Sequence, residues 1–277
     1  MRKLADFFLF SAIFIGLCAV ALCWETNLLL GLKSSHWSLY CFVFGATLLQ
    51  YNLHYFFKKA HAFKSERQDW SIQNRLTQKI LIAAGLLLVI LSLFWLEPRH
   101  FVVLAVLAIL ASLYSFPLLP FVNKPLKEFG LLKIGLLSLE WTLVTVWFPA
   151  DQQGIDMTSY WLVFLRRFLF MFVLCLLFDM RDRELDATNG IRTIPVRMGV
   201  SKSYRLADII LLIFVLISLI QLIRTSDFPF FHAMLLSALL TRFVIQLTKK
   251  FDNDYIYLAG IDGMMLVQTA LVAIGTI

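Results

Sequence analysis

Three aspartates and two arginines stand close together in one polar stretch of an otherwise apolar chain. Asp179, Asp182 and Asp186 have the spacing i, i+3 and i+7, which puts them on one face if the stretch is helical. Carboxylates this close repel one another unless a cation neutralises them, and a set of oxygen ligands favours Mg²⁺. Because Mg²⁺ commonly joins carboxylates to phosphates, and Arg192 and Arg197 follow, the stretch predicts a site for a metal-bound diphosphate.

The same aspartates have a simpler explanation, a solvated acidic helix end whose charge is balanced locally by Arg181 and Arg183. The residues that follow favour a site instead. Gly190, the run Thr-Ile-Pro at 193–195, and Gly199 predict a tight, non-helical return of the chain towards an apolar segment. Such a return would hold the two later arginines beside the three aspartates.

The elements that carry this polar stretch are predicted to be membrane helices. Hydrophobic residues make up 60% of the 277 residues, whereas they make up about half of an average soluble domain. Charged residues make up 16%, against about a quarter in a soluble domain. The apolar residues come in runs of about 20, the length of helix that crosses a hydrocarbon core of about 30 Å. This pattern excludes an ordinary soluble enzyme and an outer-membrane barrel.

Nine apolar segments are bounded by charged residues, proline or glycine. They cover residues 7–24, 38–57, 79–96, 101–121, 130–148, 160–178, 206–223, 228–247 and 256–276. The residues that remain are too few for a separate soluble domain. We therefore predict an all-α fold, a polytopic membrane bundle of nine transmembrane helices that forms a single domain over residues 1–277.

The distribution of charge predicts how the chain is oriented. A net charge of +7 would make nucleic acid a candidate partner of a soluble protein, but here the positive-inside rule explains it. With a cytoplasmic N-terminus and an outside C-terminus, nearly all lysines and arginines between the segments face the cytoplasm of a bacterial-type membrane. A cleaved signal peptide is the alternative for the first segment, which is longer than the usual apolar region of about 7 to 15 residues. Its length favours an uncleaved helix.

Two of the predicted cytoplasmic connections are long, residues 58–78 and residues 179–205. Long loops in a compact domain are commonly functional or disordered. Both loops are rich in charge, and the second carries the three aspartates. We expect the two loops to cap a site at the cytoplasmic face.

The aspartate-rich stretch also resembles a known family. The run D-x-x-D-x-x-x-D, followed by T-I-P-V-x-x-G at the cytoplasmic end of the sixth helix, is similar to the second aspartate-rich motif of the UbiA superfamily of intramembrane prenyltransferases. The resemblance implies Mg²⁺ as cofactor, a polyprenyl diphosphate as donor and an aromatic or other lipophilic acceptor. It makes Asp179, Asp182 and Asp186 the metal-binding and catalytic residues.

The first motif of that family is degenerate in this chain. Family members carry approximately N-x-x-x-D-x-x-x-D at the end of the second helix, whereas this chain has Asn52, Phe56 and Ala60 at those positions. The resemblance keeps Asn52 as a candidate for diphosphate binding. Phe56 and Ala60 cannot bind a metal, so we expect fewer Mg²⁺ ions than in relatives, with lysine or histidine supplying part of the positive charge.

The same helix end offers basic residues in place of the lost aspartates. His54, Lys58 and His61 have the spacing i, i+4 and i+7 and predict a helical stripe that contacts phosphate. The alternative is an ordinary basic flank at the membrane surface. Glu66 and Asp69, in the loop that follows, are candidates for a displaced carboxylate.

Two further candidates for diphosphate binding follow from the resemblance. Tyr114 lies at the inner end of the fourth predicted helix and Lys133 at the start of the fifth, where family members often carry a tyrosine and basic residues. The alternative is an interfacial aromatic residue and a positive flank.

Charged residues within the apolar segments suggest ion pairs, because charges at membrane depth are usually paired or functional. Counting from the cytoplasmic ends puts Glu140 level with Arg167, and Arg242 level with Asp262. We therefore predict both pairs, with recognition of the acceptor as the alternative role for Glu140 and Arg167. Arg166 has no obvious partner.

Two other classes of function compete with a prenyltransferase. A non-catalytic membrane protein of the same fold, binding lipid or a partner, would explain the lost aspartates. A small-molecule transporter would predict helices broken by glycine or proline at mid-membrane, whereas the prolines here lie at segment ends or in loops.

Overall fold

The regular structure of the chain is helical. A computed structural model describes residues 2–57, 65–115, 129–150, 154–251 and 253–276, and no strand occurs in these ranges. The α-helices are α1 (Arg2–Phe10), α2 (Ile13–Leu29), α3 (Trp37–Phe57), α4 (Glu66–Gln73), α5 (Arg75–Leu93), α6 (His100–Ser115), α7 (Gly130–Thr142), α8 (Phe148–Ala150), α9 (Met157–Arg181), α10 (Arg183–Thr188), α11 (Ile194–Met198), α12 (Val200–Thr225), α13 (Phe228–Thr248) and α14 (Gly263–Thr276). Two π-helical stretches, Leu143–Trp147 and Ile256–Ile261, precede α8 and α14. The predicted all-α fold is confirmed.

Several of these helices are suited to crossing a membrane. Within the described residues, five helical units are long and apolar enough: α5, α9, α12, α13 and the unit Ile256–Gly275. The pair α1 and α2, bent by 56°, makes six if it is one broken span. Each of the nine predicted segments overlaps a helix, but the described residues do not confirm nine membrane spans, and α4, α10 and α11 lie in the predicted connections.

The first predicted segment, residues 7–24, is wrong as a single helix. The chain bends between α1 and α2, where Ala12 has a φ of +67°. The amide nitrogen of the buried Asn52 donates to the Ser11 carbonyl at 2.8 Å and to the Leu48 carbonyl at 2.8 Å. Asn52 thereby satisfies a backbone group that the bend leaves without a helical partner. Because α2 starts late and runs to Leu29, Glu25 lies inside the helix.

The predicted pair between Glu140 and Arg167 is wrong. Arg167 forms an ion pair with Glu25 at 3.2 Å, and both side chains are buried. Arg167 also donates to the Leu22 carbonyl at 3.3 Å, and Thr269 donates to Glu25 at 3.0 Å. Equal depth in the membrane does not make two side chains face each other, and here the Arg167 side chain turns towards α2.

The predicted pair between Arg242 and Asp262 is also wrong. Arg242 of α13 instead pairs with Asp208 of α12 at 3.2 Å, on a partly exposed surface. Asp262 is buried and lies within electrostatic range of the guanidinium groups of Arg67 and Arg181.

Arg166 does have partners. It donates to the side chain of Gln221 and packs against the Phe230 ring, with its guanidinium carbon 4.6 Å from the ring centroid. The buried arginine therefore combines a hydrogen bond with a cation–π contact.

The N-terminus of α7 packs directly against the loop that follows α10. A Cβ atom on Gly130 would lie 1.9 Å from the Arg192 carbonyl oxygen and 2.4 Å from the Thr193 Cα. Only glycine permits this approach. The contact fixes the first turn of α7, which carries Lys133, beside the segment that carries the aspartates.

We expect Gly130→Ala to lower the free energy of unfolding by about 1 to 3 kcal/mol, because the added carbon overlaps backbone atoms that cannot move freely. Gly135→Ala in the same helix is the matched control, since no neighbouring atom in the described structure lies within 4 Å of its Cβ position. Unfolding of the detergent-purified variants by SDS, followed by circular dichroism, measures the difference. Equal stability of the two variants would contradict the close packing.

We expect Glu25→Gln to cost about 3 to 5 kcal/mol, because it leaves the buried Arg167 charge unpaired. Asp208→Asn, in the partly exposed pair with Arg242, is the control and should cost less than about 1 kcal/mol. The same unfolding measurement compares them. A double variant, Glu25→Met with Arg167→Met, should recover most of the loss, and failure to recover would show that the ion pair is not its origin.

Candidate functional site

Lys133 joins two of the three aspartates. Its Nζ lies 2.8 Å from Asp179 Oδ1 and 3.1 Å from Asp186 Oδ2. The lysine belongs to the first turns of α7, Asp179 to the last turn of α9, and Asp186 to α10. The two carboxylate side chains are only 7% and 8% exposed, and that of Lys133 is 19% exposed. The ends of three helices thus surround a largely buried cluster of one cation and two carboxylates.

The aspartates are not carried on one continuous helix, as their spacing suggested. α9 ends at Arg181, Asp182 is the junction residue, and α10 begins at Arg183. Asp186 reaches Lys133 across this junction. The structure agrees with the prediction that Asp179 and Asp186 converge. The prediction that all three aspartates share one face of a single helix is wrong.

The turn after α10 is a Schellman motif. Gly190 has a φ of +72°, its N–H donates to the Ala187 carbonyl at 3.1 Å, and the Ile191 N–H donates to the Asp186 carbonyl at 2.8 Å. Gly190 therefore makes the tight turn that the sequence predicted. The return that follows is not entirely non-helical, because residues Ile194–Met198 form the short helix α11.

Asp182 pairs with its neighbour in the chain. Arg181 Nε lies 2.8 Å from one carboxylate oxygen of Asp182, and Nη2 lies 3.3 Å from the other. This is the local neutralisation that the simpler interpretation of the motif predicted for Arg181. Asp182 is thus oriented differently from the two aspartates that contact Lys133.

Asp254 ties three elements together at the same end of the bundle. One of its oxygens accepts hydrogen bonds from the Ser65 hydroxyl at 2.9 Å and from the Arg67 backbone N–H at 3.0 Å. The other oxygen lies 3.4 Å from Arg181 Nη1. Asp254 therefore holds the start of α4 against the end of α9.

Aromatic and cationic side chains occupy the region of the degenerate first motif. The guanidinium carbon of Arg75 lies 4.7 Å from the centroid of the Phe56 ring. Arg75 also donates a hydrogen bond to the backbone carbonyl of Phe56 at 2.6 Å. The guanidinium carbon of Arg67 lies 4.2 Å from the ring centroid of Tyr55 and 5.5 Å from that of Tyr51. Cations held against ring faces thus stand near the position where the family carries an aspartate.

The structure places the other candidates of that region differently. Asn52 directs its amide nitrogen to two backbone carbonyls. His54 is exposed, with its ring 5.3 Å from that of Tyr55, and Glu66 lies 3.7 Å from Arg2 on the surface. Asp69 is also exposed. Lys58, Ala60 and His61 lie outside the described residues.

The remaining candidates divide into two groups. Tyr114, near the C-terminal end of α6, lies within electrostatic range of Lys133, Asp179 and Glu140. Arg192 and Arg197 are exposed on the segment that returns to α12. The structure brings Lys133, Asp179 and Asp186 into contact, with Tyr114 within electrostatic range of the first two, and leaves the two arginines exposed.

The donor set suits a metal ion that is shared with a substrate. Asp179 Oδ2 is buried and has no hydrogen-bond partner among the described residues. In that part of the chain, no group of three histidine, cysteine or acidic side chains is arranged to hold a metal ion. Mg²⁺ at a diphosphate needs only one or two carboxylates, because phosphate and water oxygens complete its shell. Asp179 and Asp186 fit that requirement, with Lys133 as a cation already in place.

Sequence reasoning missed Glu25, Asp254 and the buried Arg67. Glu25 lay just beyond the segment predicted to end at residue 24, and Asp254 and Arg67 looked like ordinary loop charges. For Glu25 and Asp254 the only signal was an acidic residue next to a segment end, and for Arg67 there was none. Which partner each one contacts depends on how the helices pack.

The fold is similar to those of digeranylgeranylglyceryl phosphate synthase and a UbiA homologue. Digeranylgeranylglyceryl phosphate synthase is 15% identical, with a TM-score of 0.57 over 100% of this chain and 98% of that chain. A UbiA homologue from Archaeoglobus fulgidus is 13% identical, with a TM-score of 0.63 over 98% of this chain and 99% of that chain. The structure of this homologue bound to GPP and Mg²⁺ is 11% identical, with a TM-score of 0.62 over 96% of this chain and 99% of that chain. At these identities the likeness shows the fold.

Sequence comparison gives the family. No curated protein matches this chain. The UbiA prenyltransferase family, in contrast, matches residues 64–259, a range that includes Lys133 and all three aspartates of the second motif. Because this range is more than half of the sequence, the chain belongs to the UbiA prenyltransferase family.

Proposed function

We propose that this chain is an intramembrane prenyltransferase, which moves an isoprenoid from a polyprenyl diphosphate to an aromatic or other lipophilic acceptor. The observation that carries the proposal is the contact of Lys133 with both Asp179 and Asp186, in a chain of the UbiA family. A lysine and two carboxylates, one with an oxygen left without a hydrogen bond, are suited to bind a diphosphate and its counter-ion.

The proposed topology has nine membrane spans, with the N-terminus in the cytoplasm and the C-terminus outside a bacterial-type cytoplasmic membrane. Support comes from the helix found at each of the nine apolar segments and from the positive charges between them. In this topology the cluster around Lys133 lies at the cytoplasmic end of one integral membrane domain, capped by the connections 58–78 and 179–205.

Mg²⁺ is the cofactor in this proposal. The A. fulgidus homologue binds GPP together with Mg²⁺, and Asp179 and Asp186 are the residues that would hold the ion here. When bound, Mg²⁺ would stabilise the negative charge that develops on the leaving diphosphate. Asp182 would contribute only if its ion pair with Arg181 opened.

The side chains of the cluster have separate roles in the proposed reaction. Lys133 would bind the diphosphate. Its positive charge would replace that of the Mg²⁺ which the first motif, lacking its aspartates, would no longer hold. Tyr114, which is near both Lys133 and Asp179, would orient the same group. The surrounding apolar helices would exclude water from the allylic cation until the acceptor attacks it.

A second candidate function is a non-catalytic protein of the same fold that binds lipid or a partner. One observation favours it. The Phe56 ring packed under Arg75 occupies a position where family members carry a metal-binding aspartate. This candidate predicts that substitutions of the second motif leave the function of the protein unchanged.

We expect purified protein to bind geranyl diphosphate in Mg²⁺ and to lose most of this binding in EDTA. Asp179→Asn should weaken binding by at least tenfold, because it removes charge from the residue with the open oxygen. Isothermal titration calorimetry in detergent measures both effects.

Glu184→Gln is the matched control for this experiment. Glu184 lies in α10, two residues before Asp186, and its side chain is 70% exposed. The variant should bind like the wild type. Absence of binding in every condition would contradict the prenyltransferase proposal and favour the non-catalytic candidate.

We expect Lys133→Met to change the number of bound Mg²⁺ ions. If Lys133 replaces a metal ion between Asp179 and Asp186, its removal leaves two unpaired carboxylates that a further Mg²⁺ would neutralise. Metal analysis of the diphosphate complex by mass spectrometry should therefore give about one more Mg²⁺ per chain than the wild type. Equal metal content would show that Lys133 does not take the place of an ion.

A further inference from the structure

A polar cavity lies at the end of the bundle opposite the Lys133 cluster. It has a volume of about 270 Å³ and is formed by the connection before α3, the connection between α5 and α6, and α8. Pro149, which lines the cavity, is separated from Lys133 by continuous helix with a length of roughly 24 Å. The cavity is therefore distinct from the candidate site for the diphosphate.

Most of the side chains that line the cavity are polar. They are Ser35, His36, Ser38, Glu97, Arg99 and His100. Arg99 Nη2 lies 2.8 Å from Glu97 Oε2, and these two side chains are 37% and 58% exposed. Arg99 Nε is buried and has no hydrogen-bond partner within the described ranges. Because ion pairs this exposed contribute little to stability, both charges can exchange their partner for a ligand.

The two opposite charges restrict the class of ligand. A simple anion would be attracted by Arg99 but repelled by Glu97, and for a simple cation the reverse holds. A ligand that carries one charge of each sign satisfies both side chains. Because a water molecule occupies about 30 Å³ in the liquid, the cavity has room for about nine non-hydrogen atoms. A phosphate that bears an aminoethyl group has this size and both charges.

The backbone around Arg99 suits the phosphate end of such a ligand. α3 begins at Trp37 and α6 begins at His100, so the first turns of two helices adjoin the cavity. The N–H groups of a first helical turn favour phosphate. The buried His100 accepts the Glu97 N–H on Nδ1 at 3.2 Å, which makes Nε2 the nitrogen that carries the proton of the neutral ring.

Exposed aromatic rings indicate that the cavity lies at the level of the lipid headgroups. Trp95, which lines it, is 61% exposed, and its ring centroid is 6.0 Å from that of the exposed Trp37. Tryptophan is enriched at the interface between membrane and water. The exposed side chains of Leu91 on α5 and Val102 on α6 continue the surface towards the bilayer. A headgroup in the cavity could thus keep its acyl chains against apolar side chains.

We propose that the cavity binds the headgroup of a membrane phospholipid that carries an ammonium and a phosphate, as phosphatidylethanolamine does. Arg99 and the two helix N-termini bind the phosphate, and Glu97 accepts hydrogen bonds from the ammonium. The bound lipid joins the connection before α3 to the connection before α6 and stabilises this end of the bundle. The proposal does not depend on the prenyltransferase function.

Three phospholipids with identical acyl chains test the headgroup. Phosphatidylcholine has both charges but no ammonium N–H to donate, and phosphatidylglycerol has the phosphate without an ammonium. Native mass spectrometry of the delipidated protein in detergent should show phosphatidylethanolamine bound about tenfold or more tightly than either. The same lipid should raise the Tm of the protein, because it binds only the folded state.

Two results with the wild type would overturn the proposal. Equal binding of the three lipids would show that the lipid contacts are not specific for a headgroup. Inorganic phosphate that raises the Tm as much as phosphatidylethanolamine does would show that the ligand is a free anion.

Variants of the ion pair test the roles of its two charges. Arg99→Gln should weaken phosphatidylethanolamine binding by about tenfold or more. Glu97→Gln should weaken that lipid but not phosphatidylglycerol, so that the preference between the two is lost. A merely structural ion pair would not change the preference. Unchanged preference in Glu97→Gln, or unchanged affinity in Arg99→Gln, would overturn the assignment.

Arg224→Gln and Asp156→Asn are the matched controls. These two residues form an exposed ion pair at 3.7 Å where α12 ends and α9 begins, at the same end of the bundle, and neither lines the cavity. Both variants should bind the lipids like the wild type. Geranyl diphosphate binding should be unchanged in all four variants, so failure of the lipid site and failure of the prenyltransferase proposal give different results.

Discussion

The structure of the candidate site depends on the charge of Lys133 lying between two buried carboxylates. Asp179 and Asp186 could not approach each other in a largely dry environment without a cation, because the repulsion between them is weakly screened there. Their attraction to Lys133 draws the ends of α7, α9 and α10 together. Gly130 makes the approach sterically feasible by letting the first turn of α7 rest on the backbone of Arg192 and Thr193.

The region of the degenerate first motif is stabilised in another way. Arg67 and Arg75 lie against aromatic rings of α3, and Asp254 binds the start of α4 and the Arg181 guanidinium at once. These contacts hold α3, α4 and the end of α9 together on that side. The two sides of the site therefore differ chemically. The side of the second motif has carboxylates, one of which has an oxygen without a hydrogen bond. The side of the first motif has arginines that are already bound to aromatic rings or carboxylates.

The sequence was sufficient for the helices and for part of the site. Long apolar runs located the long helices but not the short helices α4, α10 and α11, and the aspartate spacing together with the family resemblance brought Asp179, Asp186, Tyr114 and Lys133 into one hypothesis. The errors arose where rotation about a helix axis decides the contact. Depth in the membrane follows from counting residues, but it does not say that Arg167 faces Glu25, or that Asp208 and Asp262 differ in their access to Arg242. The bend at Ala12 has no glycine or proline to mark it in the sequence.

The hydrogen bonds of Asn52 separate what folding requires from what chemistry requires. The motif that contains Asn52 would ordinarily be regarded as one functional unit, yet its side chain here serves the backbone at Ser11 and Leu48. An amide buried between two carbonyls stabilises the bend, whatever the site does. The requirement at position 52 is therefore a requirement of the bend between α1 and α2, and it holds whichever residues occupy positions 56 and 60.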